Sequence, residues 1–324
     1  MKHSVDHAFY GCTFCFREYN KSQVINMKKM LFVMNPISGT KKAARHLANI
    51  VNTFNRADYQ VQLYLTAAPG DGKDYVAKNC QDADVVVCCG GDGTFNETVS
   101  GLVACGREIP IGYIPAGSTN DFANSLGLPL TPVDAAKAIV EGAPKAVDLG
   151  KFGDRYFSYV ASFGAFTRAS YATPQSMKNA LGHTAYVLGG ITELAQIRAT
   201  HMKLTVDGEE IEDDFIFGAV CNSTSVGGIL TLDPEQVDMS DGLFEVFLIR
   251  APKDLAELGE FFLAVQKKQY NCKMMTFLSG RKVTAQCDEP ISWTLDGEEA
   301  EGAPVVEIEN LHHAYSILKR EDKC

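Results

Sequence analysis

Val85-Val86-Val87-Cys88-Cys89-Gly90-Gly91-Asp92-Gly93-Thr94-Phe95-Asn96-Glu97 is the stretch on which the fold turns. Its unbroken apolar run reads as a strand buried on both faces, as in a parallel sheet covered by helices. The run enters a glycine-rich turn, after which Phe95 to Val103 read as a helix. Backbone N–H groups and a helix N-terminus converge at such a junction, where an anion can sit, and glycines let the backbone approach phosphate oxygens closely. Asp92 cannot itself attract phosphate, so its expected role runs through a bound cation or water. A tight strand-to-helix turn built only for its dihedrals is the plainer reading of the same residues.

Around this stretch the chain alternates short apolar runs with amphipathic segments, the texture of a βαβ series. Strands are predicted over 31–34, 60–66, 84–89 and 111–114, and helices over 41–55, 73–79, 95–103 and 132–141. The first helix carries Ala44, Leu47, Ala48, Val51 and Phe54 at helical spacing. After Gly142-Ala143-Pro144 the texture becomes strand-rich, with Asp-Gly turns. Strands are predicted over 152–163, 203–206, 215–222, 243–249 and 283–285, and helices around 177–198 and 254–266. The tail from Val305 to Leu318 holds two short strand-like runs that either close the second domain or return to the first.

The expected organisation is an N-terminal extension over 1–27, disordered or read from upstream of the true start, an α/β domain over 28–147, and a mainly β domain over 148–324. A length of 324 residues suits two cores better than one. The formal net charge of −10 argues against a nucleic-acid partner, which would require clustered Lys and Arg, and against steady adhesion to an anionic membrane. No apolar run approaches the roughly 20 residues of a membrane span, and the first 27 residues lack a signal-peptide core. The ten cysteines therefore read as reduced thiols in a cytoplasmic protein. His3, His7, Cys12 and Cys15 have spacings that could supply four zinc ligands, but a tail without metal is the preferred reading.

Two further polar, glycine-bearing loops follow strands: Asn35-Pro36-Ile37-Ser38-Gly39 and Pro115-Ala116-Gly117-Ser118-Thr119-Asn120-Asp121-Phe122-Ala123. In a parallel sheet they emerge with the first at the carboxyl ends of strands, where open α/β folds bind ligands. Neither a Walker A pattern nor a Gly-x-Gly-x-x-Gly fingerprint is present at these loops. Together the three loops closely resemble the diacylglycerol kinase catalytic-domain family, in particular bacterial lipid kinases related to diacylglycerol and sphingosine kinases. The resemblance extends from about Lys28 to the C-terminus.

The resemblance implies an α/β N-terminal domain with a mostly parallel sheet, as in NAD and diacylglycerol kinases, and a C-terminal β-sandwich domain, with nucleotide in the cleft between them. By the same analogy ATP is lined by Asn35, Pro36, Ile37, Ser38, Gly39, Thr66, Gly91, Asp92, Gly93, Thr94, Phe95, Asn96, Glu97 and Ser118. Ser118 replaces the usual threonine and keeps the hydroxyl. Asp238-Met239-Ser240-Asp241-Gly242-Leu243 resembles a loop in which the Asp241 carboxylate and the carbonyls of Asp238 and Leu243 hold Mg²⁺; oxygen ligation suits that cation. From the local sequence alone, this segment reads as a hairpin turn.

In Leu295-Asp296-Gly297-Glu298 the family analogy makes Glu298 the general base and, with Asp92 and Asp241, part of the catalytic set. Asp207-Gly208-Glu209 has the same local chemistry, and the order of motifs along the chain favours Glu298. The implied activity is ATP- and Mg²⁺-dependent phosphorylation of a hydroxyl on diacylglycerol or a related lipid. An NAD kinase and a non-catalytic nucleotide- or lipid-sensing module are the alternatives. The expected partners are ATP and a membrane-presented lipid met by transient contact with the inner membrane face; a homodimer is one admissible assembly. The stretch from Tyr171 to Ile191 offers an apolar lip near the cleft, or plain core.

Overall fold

The computed structural model describes residues 27–39, 42–164, 199–226, 230–231, 237–267 and 272–321. The His3, His7, Cys12 and Cys15 set, the lip over 171–191 and the predicted helix over 177–198 lie outside the described residues.

Four parallel strands form the first half: β1 (Lys28–Met34), β2 (Tyr59–Leu65), β3 (Val85–Gly90) and β4 (Ile111–Pro115), ordered β2-β1-β3-β4. Strand periodicity assigns their side chains to two faces. Met30, Phe32, Val87 and Ile114 enter one core with Ile50, Phe54 and Ile139 of α2 (Leu47–Arg56) and α6 (Pro132–Glu141). Leu31, Val33, Val86 and Tyr113 enter the other with Val76 of α3 (Asp71–Asn79) and Phe95 and Val99 of α4 (Asp92–Cys105). α6 is announced locally: Pro132 opens it without wasting an N–H, and Thr131 caps it by accepting from the Asp134 amide.

The predicted helix over 41–55 is divided at His46 into α1 (Lys42–Arg45) and α2. α4 begins three residues before the predicted 95, so the glycine loop is itself the first helical turn. α5 (Asp121–Ser125) follows β4.

In the second half, the predicted strand over 152–163 becomes β5 (Ala143–Phe152), β6 (Arg155–Phe157) and β7 (Val160–Gly164), because Gly153, at φ +54°, turns β5 back onto β6. β8 (Thr200–Val206) and β9 (Glu209–Cys221) form a hairpin through Asp207-Gly208. The two-residue pair β10 (Ser225–Val226) and β11 (Leu230–Thr231) precedes β12 (Phe244–Arg250) and α7 (Leu255–Gln266). β13 (Met275–Gly280), β14 (Lys282–Gln286), β15 (Ser292–Leu295) and β16 (Glu298–Glu301) then complete a sandwich-like body. Its core gathers Trp293, Phe163, Phe157, Phe244 and Val246.

The last strand, β17 (Val305–Lys319), resolves the question left by the tail: it does both things. Its first part pairs with β14, its length pairs with β5, and Ile317 meets Ile111 of β4 in parallel. Its register shifts between Leu311 and Tyr315, a bulge that re-aims the strand between the two halves.

Cys80 and Cys105 form a disulfide, contrary to the expectation of reduced thiols. α3 and α4 pack closely because Gly101 lies against Lys73 and Val76, which places the two ends of these elements side by side. Cys88, Cys89, Cys221, Cys272 and Cys287 are free and buried.

Candidate active site

The loops that follow β1, β3 and β4 meet on one edge of the parallel sheet. The Asn35 amide donates to the Cys89 carbonyl at 2.9 Å and that of Ala116 to the Gly90 carbonyl at 2.7 Å. Gly91 and Gly117 face each other so closely that a Cβ on Gly117 would stand 2.7 Å from the Gly91 Cα. Gly39, at φ +51°, packs its Cα on the Ala116 and Gly117 carbonyls, so a side chain is excluded by both space and dihedral. Asn35 organises its own loop: its Oδ1 accepts from the Ile37 amide at 3.1 Å, and its Nδ2 donates to Thr94 Oγ1 at 3.3 Å. Pro36 and Ser38 are half-buried, Ile37 and Ser118 are exposed, and Thr66 is tied to the Met34 carbonyl at 3.0 Å.

α4 starts at this meeting of loops. Its first regular bond runs from the Phe95 amide to the Gly91 carbonyl at 3.0 Å. The amides of Asp92, Gly93 and Thr94 precede that bond and are the N–H groups that a helix start leaves over. Phe95 departs from the sequence expectation. Its ring is fully buried against Tyr113 and Phe122 and its amide is spent in the helix, so it shapes the site from below.

Asn96 and Glu97 are also positioning groups. Asn96 Nδ2 donates to the Tyr156 carbonyl at 3.0 Å and to Asp296 Oδ2 at 2.8 Å. The Glu97 carboxylate accepts from the Gly70 amide at 2.7 Å and the Gly72 amide at 3.1 Å, holding the loop between Thr66 and α3.

Asp92 has protein partners first. Its carboxylate accepts from the amides of Asp121 and Phe122 at 3.2 and 3.4 Å and faces the Tyr113 hydroxyl at 3.4 Å. Burial, then the nearby Asp121 carboxylate, push its pKa up. Asp121, itself raised by burial, is a site residue that the motif reading quoted but did not single out.

Glu298 begins β16, 206 positions beyond Asp92 in the chain, and stands over the same helical turn. A Cβ on Gly93 would lie 2.8 Å from Glu298 Oε1, so a side chain there would displace the carboxylate from its place over the turn. Asp296, two residues earlier, sets the turn from within. It is buried at φ +49°, and its carboxylate accepts from the amides of Ser158, Tyr159 and Val160 at 2.6, 3.0 and 3.1 Å. Burial raises its pKa to about 6 against the pull of these bonds and that of Asn96. Glu209 occupies a hairpin whose Asp207 carboxylate accepts from the amides of Arg281 and Lys282 at 2.8 Å each.

The segment from Asp238 to Leu243 forms a second cluster. Asp238 Oδ1 accepts from the Ser240 amide at 3.0 Å and Asp241 Oδ1 from the Leu243 amide at 2.9 Å, both carboxylates being exposed. The Leu243 carbonyl accepts from Asn310 Nδ2 at 3.0 Å, which leaves one lone pair. Beside the loop, Glu245 Oε2 is buried with no hydrogen-bond partner among the described residues. Its pKa is raised to about 8 by burial and by Asp241 and Asp238. Oxygen-only donors with an orphaned buried carboxylate oxygen fit a hard dication. Tyr315, four residues after Leu311, packs its ring 6.2 Å from that of Phe95, so β17 links this cluster to the first.

Two family models match: residues 29–152 fit the diacylglycerol kinase catalytic domain and residues 160–317 the YegS C-terminal NAD kinase beta sandwich-like domain. A diacylglycerol kinase of Bacillus subtilis (strain 168) is 30% identical over 302 residues, 91% of this chain and 98% of the relative. The chain belongs to the diacylglycerol kinase family. A second family relative, the diacylglycerol kinase of Staphylococcus saprophyticus, is 29% identical over 84% of this chain and 89% of its own. Two solved Bacillus anthracis structures share the fold. One is described as a candidate diacylglycerol kinase, with a TM-score of 0.75 at 24% identity, over 93% of this chain and 98% of its own. The other is described as a diacylglycerol kinase, with a TM-score of 0.71 at 22% identity, over 91% and 98%. Family membership makes this a kinase, and the expected α/β plus β-sandwich class holds. Among the described residues no helix is long and apolar enough to cross a membrane.

Proposed function

We propose that the chain transfers the γ-phosphoryl group of ATP to a hydroxyl of a diacylglycerol-like lipid, with Mg²⁺ as cofactor and Glu298 as general base. One observation carries this reading. The Glu298 carboxylate stands against the first turn of α4, whose leading amides, those of Asp92, Gly93 and Thr94, come before the first helical bond among the described residues.

The residues divide the work. The amides of Asp92 to Thr94 and the loops from Asn35 to Gly39 and around Ser118 cradle the phosphates, while Glu97, Asn96 and Asp92 fix the loops that carry them. Glu298 takes the proton of the acceptor hydroxyl as its oxygen bonds to the γ-phosphorus, and the bond to the β-phosphate oxygen breaks with its electron pair leaving on ADP. Asp241, with the carbonyls of Asp238 and Leu243, would hold Mg²⁺, which when bound neutralises phosphate charge. The lipid acceptor is supported by the relatives' name, diacylglycerol kinase; transient contact of an otherwise cytoplasmic protein with the membrane that presents it is part of the same proposal.

The test is transfer from γ-labelled ATP, with and without Mg²⁺, to diacylglycerol, phosphatidylglycerol, sphingosine, ceramide and NAD. Labelling of diacylglycerol that requires Mg²⁺ and is lost in Glu298→Gln is expected. Labelling of NAD alone would reassign the acceptor, an outcome given substance by the NAD kinase-like description of the second half. ATP binding without any transfer would leave a sensing module.

A further inference from the structure

Outside the glycine loops, one group of side chains has the donors of a different kind of site. Asp148, on β5, is fully buried, and its carboxylate is met by two consecutive histidines of β17. A ring nitrogen from each of His312 and His313 and an oxygen of Asp148 all lie within 4.8 Å of one another.

Consecutive residues of a regular strand point to opposite faces, so two adjacent histidines cannot ordinarily serve one ligand. The bulge in β17 removes that obstacle. His313 adopts φ +53°, a conformation that side chains other than glycine take up at a cost, and the two imidazoles stack with centroids 3.6 Å apart.

The surrounding bonds prepare the donors. His313 Nε2 lies 3.1 Å from the Ser240 carbonyl, which can only accept, so Nε2 carries the hydrogen and Nδ1 of the neutral ring keeps a lone pair. Such an outer carbonyl is what orients metal-bound histidines. Asp148 is fixed by the amides of His313 at 2.8 Å and Gly242 at 2.7 Å, and His312 Nδ1 lies 3.0 Å from its Oδ1. Asp148 thus touches the Asp238 to Leu243 loop, yet the nitrogen donors distinguish this cluster from that loop's oxygen-only set.

The geometry points to a binding site for a borderline transition-metal dication of the Zn²⁺ class at Asp148, His312 and His313, with exposed His312 leaving an open side for water. Two imidazoles and a carboxylate suit Zn²⁺, Co²⁺ or Ni²⁺ and not Mg²⁺. This assignment is independent of the lipid kinase reading.

Co²⁺ titration of the full chain, followed by visible absorption, tests it, with Cys12→Ser and Cys15→Ser as background to remove the N-terminal thiolates. One equivalent of Co²⁺ with nitrogen and oxygen bands is expected, displaced by Zn²⁺ but not by a hundredfold excess of Mg²⁺. Tm should rise by roughly 5 °C near saturation. His312→Gln and His313→Gly, the latter keeping a residue suited to positive φ, should each weaken binding by about tenfold or more, whereas Asp241→Asn should leave the spectrum intact. Unchanged binding in both histidine variants, loss of the bands in Asp241→Asn, or displacement by Mg²⁺ would overturn the assignment.

Discussion

Two glutamates, Glu209 and Glu298, follow Asp-Gly turns with nearly the same dihedrals: φ +46° and +95° in one turn, +49° and +87° in the other. What separates them is their surroundings. Glu298 faces Gly93, whereas the Glu209 turn is pinned to Arg281 and Lys282. Glu298→Gln should therefore lower kcat by about 10²-fold or more with Tm unchanged, while Glu209→Gln changes neither, measured by steady-state transfer and thermal melts.

Asp296 acts through structure. Asp296→Asn removes an acceptor from a buried cluster of amides and should cost about 2 to 4 kcal/mol in denaturant unfolding. Its folded pKa, about 6, lies above the ordinary 3.8. The stability contributed by that titration is complete below about pH 4 and is lost as pH rises through 6. The gap between wild type and Asp296→Asn should therefore be wider at pH 4 than at pH 7, by up to about 3 kcal/mol.

At the scale of the element, α4 carries a glycine in its first turn, a residue that helices disfavour. Gly93 lacks a left-handed φ, so the helix does not require glycine there, whereas the nearby Glu298 carboxylate would have to shift for a side chain. Gly93→Ala should raise helix stability by up to about 1 kcal/mol while pushing Glu298 aside. The expected result is an unchanged or higher Tm with kcat reduced about tenfold or more. Along the same helix, Glu97 ties the N-terminus of α3 with two bonds. Glu97→Gln keeps one oxygen to accept and should lose about 1 to 2 kcal/mol, with KM for ATP rising more than kcat falls.

Across the whole molecule, β17 runs from the sandwich core into a core that draws on both halves of the chain. Ile317 is buried beside Ile111 of the parallel sheet, while Ile308 of the same strand lies in the sandwich core. Ile317→Ala should cost about 2 to 5 kcal/mol. Because the lone tryptophan, Trp293, reports from the sandwich, its fluorescence and far-UV circular dichroism should still lose structure in one coincident transition, shifted together.

The sequence by itself determined what local chemistry can dictate. The buried run from Val85 to Cys89, the glycine turn after it, the Thr131-Pro132 helix start and the two Asp-Gly hairpins each follow from the dihedral and burial preferences of a few adjacent residues. The family's motifs carried the names of the loops and of Glu298. Tertiary structure alone decided what depends on residues far apart. It put Glu298 over Gly93, turned Phe95 inward, gave Asp92 and Glu97 backbone partners, joined Cys80 to Cys105, and carried one strand through both halves. It also brought His312 and His313 onto Asp148, through a register shift in β17 that strand alternation alone does not predict. Periodicity reports which face of an element is buried; it contains no information about which distant atom lies against that face.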